Sequence, residues 1–111
     1  LPGGGSLVID RTEALTVIDV NGGERPNALA TNLDAVAEIA RQLRLRNVGG
    51  IVIVDFINMA SRADAERVLD GLTRATADDP ASVNVYGMSK LGLVELTRAR
   101  RGPPLADLTG R

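Results

Sequence analysis

A chain of 111 residues with formal net charge −1 and 24% charged residues is one domain with a modest core and no polybasic arm, so any nucleic-acid contact must come from a local patch. It contains no cysteine and no histidine, which excludes disulfides, thiolate metal sites, a cysteine nucleophile and an imidazole base or ligand. Chemistry at neutral pH then falls to carboxylates, a metal ion, or Lys and Arg.

"LPGGGS" is a glycine-rich lead-in. "SLVID" (Ser6–Asp10) and "EALTVIDV" (Glu13–Val20) are β-rich stretches that read as a hairpin turning at Arg11 and Thr12. Beyond Gly22 and Gly23, "ERPNAL" is a turn-prone loop. From Thr31 the pattern becomes helical, with Leu33, Val36, Ala37, Ala40 and Leu43 on one stripe; Thr31 and Asp34 have the spacing of a capping box. The helix is expected to stop near Asn47, ahead of Gly49 and Gly50. "IVIVDF" (Ile51–Phe56) has no polar residue before Asp55 and is expected to be a strand covered on both faces. Ser61 caps a second amphipathic helix with Ala65, Val68, Leu69, Leu72 and Ala75 on its inner side, ending before Pro80. "SVNVYG" and "LGLVELTR" are further strands, and from Arg98 the chain turns basic and then proline-rich.

The order predicts an α/β fold: a mixed β-sheet with a β-hairpin, a parallel βαβ unit and two amphipathic helices packed on the sheet. The domain is expected over residues 1–101, with a basic, proline-containing tail over 102–111. No apolar run approaches the ~20 residues of a membrane span and no leader pattern opens the chain, so the expected setting is cytoplasmic, with no membrane partner. The start at Leu1 reads as a segment of a longer protein.

Two apolar strands each finish on a carboxylate, Asp19 and Asp55. Joined by a crossover helix they are parallel, so both acids come to one edge of the sheet, where open α/β sheets bind ligands. Strands ~4.8 Å apart would let the two share a cation. Asn21, two residues past Asp19, projects to the same face if the strand continues. Two carboxylates and an amide are hard oxygen donors suited to Mg²⁺, with Mn²⁺ as the alternative. Such an ion serves phosphodiester hydrolysis where no imidazole is present. The competing reading is ordinary turn chemistry before "NGG".

Lys90, Arg98, Arg100 and Arg101 gather near the C-terminus as candidate phosphate contacts, or as a merely solvated group. Arg41, Arg44 and Arg46, at the end of the first helix, are better explained by the helix dipole. One Tyr, one Phe and no Trp leave no aromatic platform for stacking bases, so base grip is expected from another domain. "LPGGGS" lacks the Lys-Ser/Thr of a phosphate-binding loop. Tyr86 and Lys90 have the Tyr-x-x-x-Lys spacing of short-chain dehydrogenases, but "NGGERPNAL" has no dinucleotide-binding glycine pattern.

"GGSLVIDRTEALTVIDVN", "TNLDAVAEIARQLRLRNVGGIVIVDFINM" and "GMSKLGLVELTRAR" together resemble the DNase-I-like catalytic subdomain of the ribonuclease E/G family, over residues 1–101. The resemblance implies an endoribonuclease that cuts single-stranded, AU-rich RNA, often with a preference for a 5′-monophosphate, in RNA decay and in ribosomal and transfer RNA maturation. It implies that Asp19 and Asp55 carry Mg²⁺ and that Asn21 orients Asp19. It also implies homo-oligomerisation through the longer protein, in which zinc-binding cysteines would follow this segment and an S1 barrel and a 5′-end sensor would precede it. There are departures. The loop "GGERPNALA" is shorter than usual, Asn58 replaces the second Asp of "DFIDM", and Pro80 and Ser82 replace basic residues, Ser82 at a position the family gives to an active-site cation. These motivate a rival expectation, a catalytically degenerate RNA-binding or assembly module.

Overall fold

In the computed structural model, which describes residues 1–22 and 27–100, the chain opens with an antiparallel hairpin of β1 (Ser6–Arg11) and β2 (Thr16–Asn21). The hairpin turn is longer than the sequence suggests. The Thr12 hydroxyl accepts from the Ala14 and Leu15 amides, and the Thr12 amide donates to the Leu15 carbonyl, so Glu13–Leu15 belong to the turn and the strand begins at Thr16.

The helix α1 (Ala28–Leu45) starts earlier than Thr31. Asn27 is its N-cap, its side-chain oxygen accepting from the Ala30 amide, while Thr31 is fully buried inside the first turn with its hydroxyl donated to the Asn27 carbonyl. The expected Thr31–Asp34 box is therefore displaced by an ordinary Asn cap one turn upstream. The buried stripe is rotated accordingly, with Ala35 and Ile39 joining Val36, Ala40 and Leu43, and Ala37 exposed. At the other end Asn47 adopts φ 47°, its amide reaching the Arg44 carbonyl and the Val48 amide reaching Leu43. That is the double hydrogen bond of a Schellman stop, with Val48 and Leu43 both buried beneath it.

β3 (Gly50–Asp55) runs parallel to β2, and α2 (Arg62–Thr76) follows, its first turn capped by Ser61, whose hydroxyl accepts from the Asp64 amide. β4 (Val83–Met88) and β5 (Leu93–Arg98) close the domain as a hairpin. The sheet order is β1-β2-β3-β5-β4: the last strand inserts between β3 and β4, antiparallel to both. One parallel pair in a five-stranded sheet makes the sheet mixed.

Both helices lie on one face. Ile18 and Val20, Val52 and Val54, and Val94 and Leu96 point into a single core against Val36, Ile39 and Leu43 of α1 and Val68 and Leu72 of α2. The other face carries no helix, which corrects the expectation that Ile51–Phe56 is covered on both sides: Ile51 is 40% exposed and Ile53 half-buried. The β-branched run reflects strand propensity at the centre of the sheet more than burial. The segment over residues 102–111 lies outside the described residues. Among the described residues no helix is long and apolar enough to cross a membrane.

Candidate active site

The parallel pairing of β2 and β3 aligns Thr16 with Val52 and, three steps on, Asp19 with Asp55. The two acids are register partners on neighbouring strands, ~4.8 Å apart at the backbone. Their neighbours Ile18, Val20 and Val54 are buried in the core, so both carboxylates project from the helix-free face, Asp19 exposed and Asp55 half-buried. Asn21 is the last residue of β2, on that same face and opposite Ser6 of β1. The structure thus brings all three together at the carboxyl rim of the sheet. Two further acids share the face one step inward: Asp10 pairs with Val17 and Glu95 with Ile53. This acidic surface was not legible in the sequence, because it depends on which strands neighbour β2 and β3.

The rim is fastened by a residue that sequence reasoning missed. Asn32, fully buried, donates its amide to the Ile57 carbonyl (2.8 Å) and accepts from the Ile57 amide (3.1 Å). Both backbone polar groups of Ile57, two residues past Asp55, are thereby tied to α1. A signal existed: Asn32 lies four and seven residues before Val36 and Ile39, a polar side chain on the apolar stripe, which a buried position tolerates only with its hydrogen bonds made.

Lys90 stands on the turn between β4 and β5, and that turn is docked on the same rim. The Ser89 hydroxyl accepts from Leu91 and Leu93, and the Gly92 carbonyl accepts from the Phe56 amide, immediately after Asp55. Gly92 has φ 86°, and a Cβ there would press on the Phe56 carbonyl at 3.2 Å and the Asn58 side chain at 3.3 Å, so glycine is required for this approach. Between the turn, residues 58–61 and the start of α2 lies a cleft of about 660 Å³.

The remaining basic candidates go elsewhere. Arg98 pairs with Gly50 at the opposite end of β3, five residues and ~17 Å from Asp55. It is 3% exposed and bidentate to Asp79 (2.9 and 3.0 Å), with further bonds to the Asn47 side chain and the Val48 carbonyl. Its assignment as an RNA contact is corrected: every nitrogen of the guanidinium is committed inside the protein. Burial raises the Asp79 pKa, but the Arg98 hydrogen bonds, the Ala81 amide and the Arg98 charge outweigh it and hold the carboxyl below its ordinary value. Arg100 is exposed beyond that same far rim, its stem lying over Gly49 and its guanidinium over Gly50. Arg101 lies outside the described residues. Arg41 bonds Glu38 and Arg46 bonds Gln42, consistent with a solvated helix end. Ser82, whose carbonyl accepts from Ala99, is also at the far rim, away from the carboxylate pair.

The donor set at the near rim is two carboxylates and an amide. Among the described residues no group of three or more His, Cys, Asp or Glu could hold a metal ion. A multidentate protein cage is thus absent from these residues, and the set fits a hard ion that keeps several waters and needs only one or two protein carboxylates, as Mg²⁺ does.

Against known proteins, the model of the ribonuclease E/G family matches residues 1–101. The chain belongs to the ribonuclease E/G family. It is 49% identical over 117 residues to ribonuclease E of Nostoc sp., covering 99% of this chain and 17% of the relative. To ribonuclease E of Escherichia coli it is 45% identical over 114 residues, and to ribonuclease G of the same organism 47% identical over 107. Those matches cover 96% and 90% of this chain but only 11% and 22% of the two relatives. The chain is thus the counterpart of a small part of these family members.

Proposed function

We propose that this chain is the metal-dependent catalytic subdomain of an endoribonuclease acting on single-stranded RNA, with Asp19 and Asp55 holding Mg²⁺, or Mn²⁺ in its place. The observation that carries the reading is the register pairing of these two acids on an open sheet face, in a member of a ribonuclease family. When bound, the ion lowers the pKa of a coordinated water and neutralises charge on a phosphoryl oxygen. Asp19 and Asp55 supply the anionic donors, and Asn21 contributes its amide at the rim and orients Asp19. Asn32 keeps the segment after Asp55 in place. Lys90 is the basic residue positioned to meet the RNA backbone near the pair. Four acids on this face repel a phosphodiester, so close approach of RNA needs a cation between them, which favours a metal-bridged complex over direct contact.

The expected setting is cytoplasmic RNA processing and decay, with residues 1–101 as the catalytic unit and homo-oligomers formed through the longer protein. In the intact protein, Asp19→Asn and Asp55→Asn should each lower Mg²⁺-dependent cleavage of a single-stranded RNA by more than about 100-fold. Wild-type rates in both variants would remove the assignment. The rival reading, a degenerate RNA-binding module, draws on Asn58, Pro80 and Ser82, but Ser82 lies across the sheet from the pair. RNA binding that is indifferent to chelator, with no cleavage, is the result that would favour it.

A further inference from the structure

The cleft beside Asp55 has a composition of its own. Its floor is formed by Met59, Leu69 and Met88, so both methionines of the chain line one cavity. Its edge carries Arg62 and Glu66 on α2 and Lys90 on the β4–β5 turn, and among the described residues neither cation has an ion-pair partner. About 660 Å³ lies in the range of sites that enclose a small organic ligand, and the lining mixes apolar side chains with polar and charged ones. Asn58, which lines the cleft, is three residues from Asp55, at most ~10 Å of chain away.

We propose that this cleft is a nucleotide subsite: the base flanking the scissile phosphate enters against Met59, Leu69 and Met88, and that nucleotide's phosphate sits between Arg62 and Lys90. The inference rests on the reading of Asp19 and Asp55 as the cleavage centre. The base needs a soft, polarisable surface, and thioether sulfurs make favourable contacts with aromatic rings. This answers a deficit set by composition: there is no Trp, Phe56 is 2% exposed in the core, and Tyr86 is on the helix-free face with its hydroxyl on Thr97. Two cations without internal partners outweigh the single carboxylate of Glu66 and, set over an apolar floor, match one anionic phosphate and one flat ring. Such a floor reads shape and stacking rather than base edges, so it tolerates any sequence.

The test uses the intact protein in EDTA and a fluorescein-labelled single-stranded RNA whose cleavage position has been mapped with Mg²⁺. One abasic nucleotide is moved stepwise across that position. At one step adjacent to the cut, the abasic RNA should bind wild type about tenfold more weakly than the complete RNA. In Met88→Ala the complete RNA should lose a similar factor, and the abasic step should shrink to less than about twofold. Arg62→Ala combined with Lys90→Ala, a surface change that leaves the core alone, should lower the slope of log Kd against log salt by about 0.7, one phosphate contact, and leave the abasic step intact. An abasic step undiminished in Met88→Ala, no sensitive position beside the cut, or an unchanged salt slope overturns the subsite. Cleavage lost in Asp55→Asn alongside any of these leaves the metal centre standing and removes only the subsite; cleavage retained in Asp55→Asn removes the centre itself.

Discussion

Asp19 and Asp55 stand opposite each other because each is the third register step from Thr16 and Val52, and each is flanked by residues committed to the core. Moving either strand by one position would send a carboxylate inward and a valine or isoleucine out, so the hydrophobic pattern itself fixes the pair. Asn32 is the residue whose loss most directly loosens this corner. Asn32→Ala leaves two partly buried backbone groups of Ile57 without these partners, which should cost about 2 kcal/mol in urea unfolding. It should also speed amide exchange at Ile57 and weaken Mn²⁺ binding about tenfold, as loss of a supporting hydrogen bond does elsewhere. Exchange and metal affinity both unchanged would mean that Asn32 only fills space. Gly92→Ala belongs to the same scale: a side chain at φ 86° facing the Phe56 carbonyl should displace the turn that carries Lys90 and destabilise the fold by about 1–2 kcal/mol.

At the scale of elements, the two helices are stopped and started by different devices, and each can be tested by itself. Ser61→Ala removes the hydroxyl that accepts from Asp64 and should cost about 1 kcal/mol, whereas Leu72→Ala opens the core beneath α2 and should cost about 3 kcal/mol. Equal losses would contradict the packing described here, because one change removes a surface cap and the other a fully buried side chain. The capping of α2 was legible, since Ser61 is followed by Asp64 and an apolar period. The start of α1 was not. Thr31 satisfies every local rule for a cap, but Asn27 satisfies them one turn earlier, and the helix extends as far as the buried stripe continues to find partners. The open face of β3 was misjudged for a related reason: a run of Val and Ile is equally favoured by a central position in a sheet and by burial, and only the placement of α1 and α2 separates the two.

For the molecule as a whole, the Arg98–Asp79 pair ties two linkers to a strand: the linker after α1 through Asn47 and Val48, the one after α2 through Asp79, and β5 through Arg98 itself. Asp79→Asn removes half of a buried ion pair and should cost about 3–4 kcal/mol at neutral pH. The carboxyl is held below its ordinary value of about 4, so the unfolded chain takes up its proton first as acid is added. The stability it contributes is therefore complete above about pH 4 and is lost as pH falls through the depressed folded value. Urea midpoints of wild type and Asp79→Asn should differ widely near pH 7 and converge below about pH 4; a constant gap would show that the pair is not what titrates.

The succession of strands and helices, the parallel relation of β2 and β3, and the arrival of Asp19 and Asp55 at one rim were all determined by the sequence alone, because periodicity and the crossover rule act on contiguous segments. The resemblance to the ribonuclease E/G family was equally legible, in three blocks of residues. What only the tertiary structure decided was the insertion of β5 between β3 and β4. That insertion turns Arg98 from a candidate RNA contact into an internal tie at the far rim and docks the turn that carries Lys90 against the end of β3, beside the methionine-floored cleft. Its cause is a pairing between strands distant in the chain, settled by the fit of whole faces, which no local pattern of residues records.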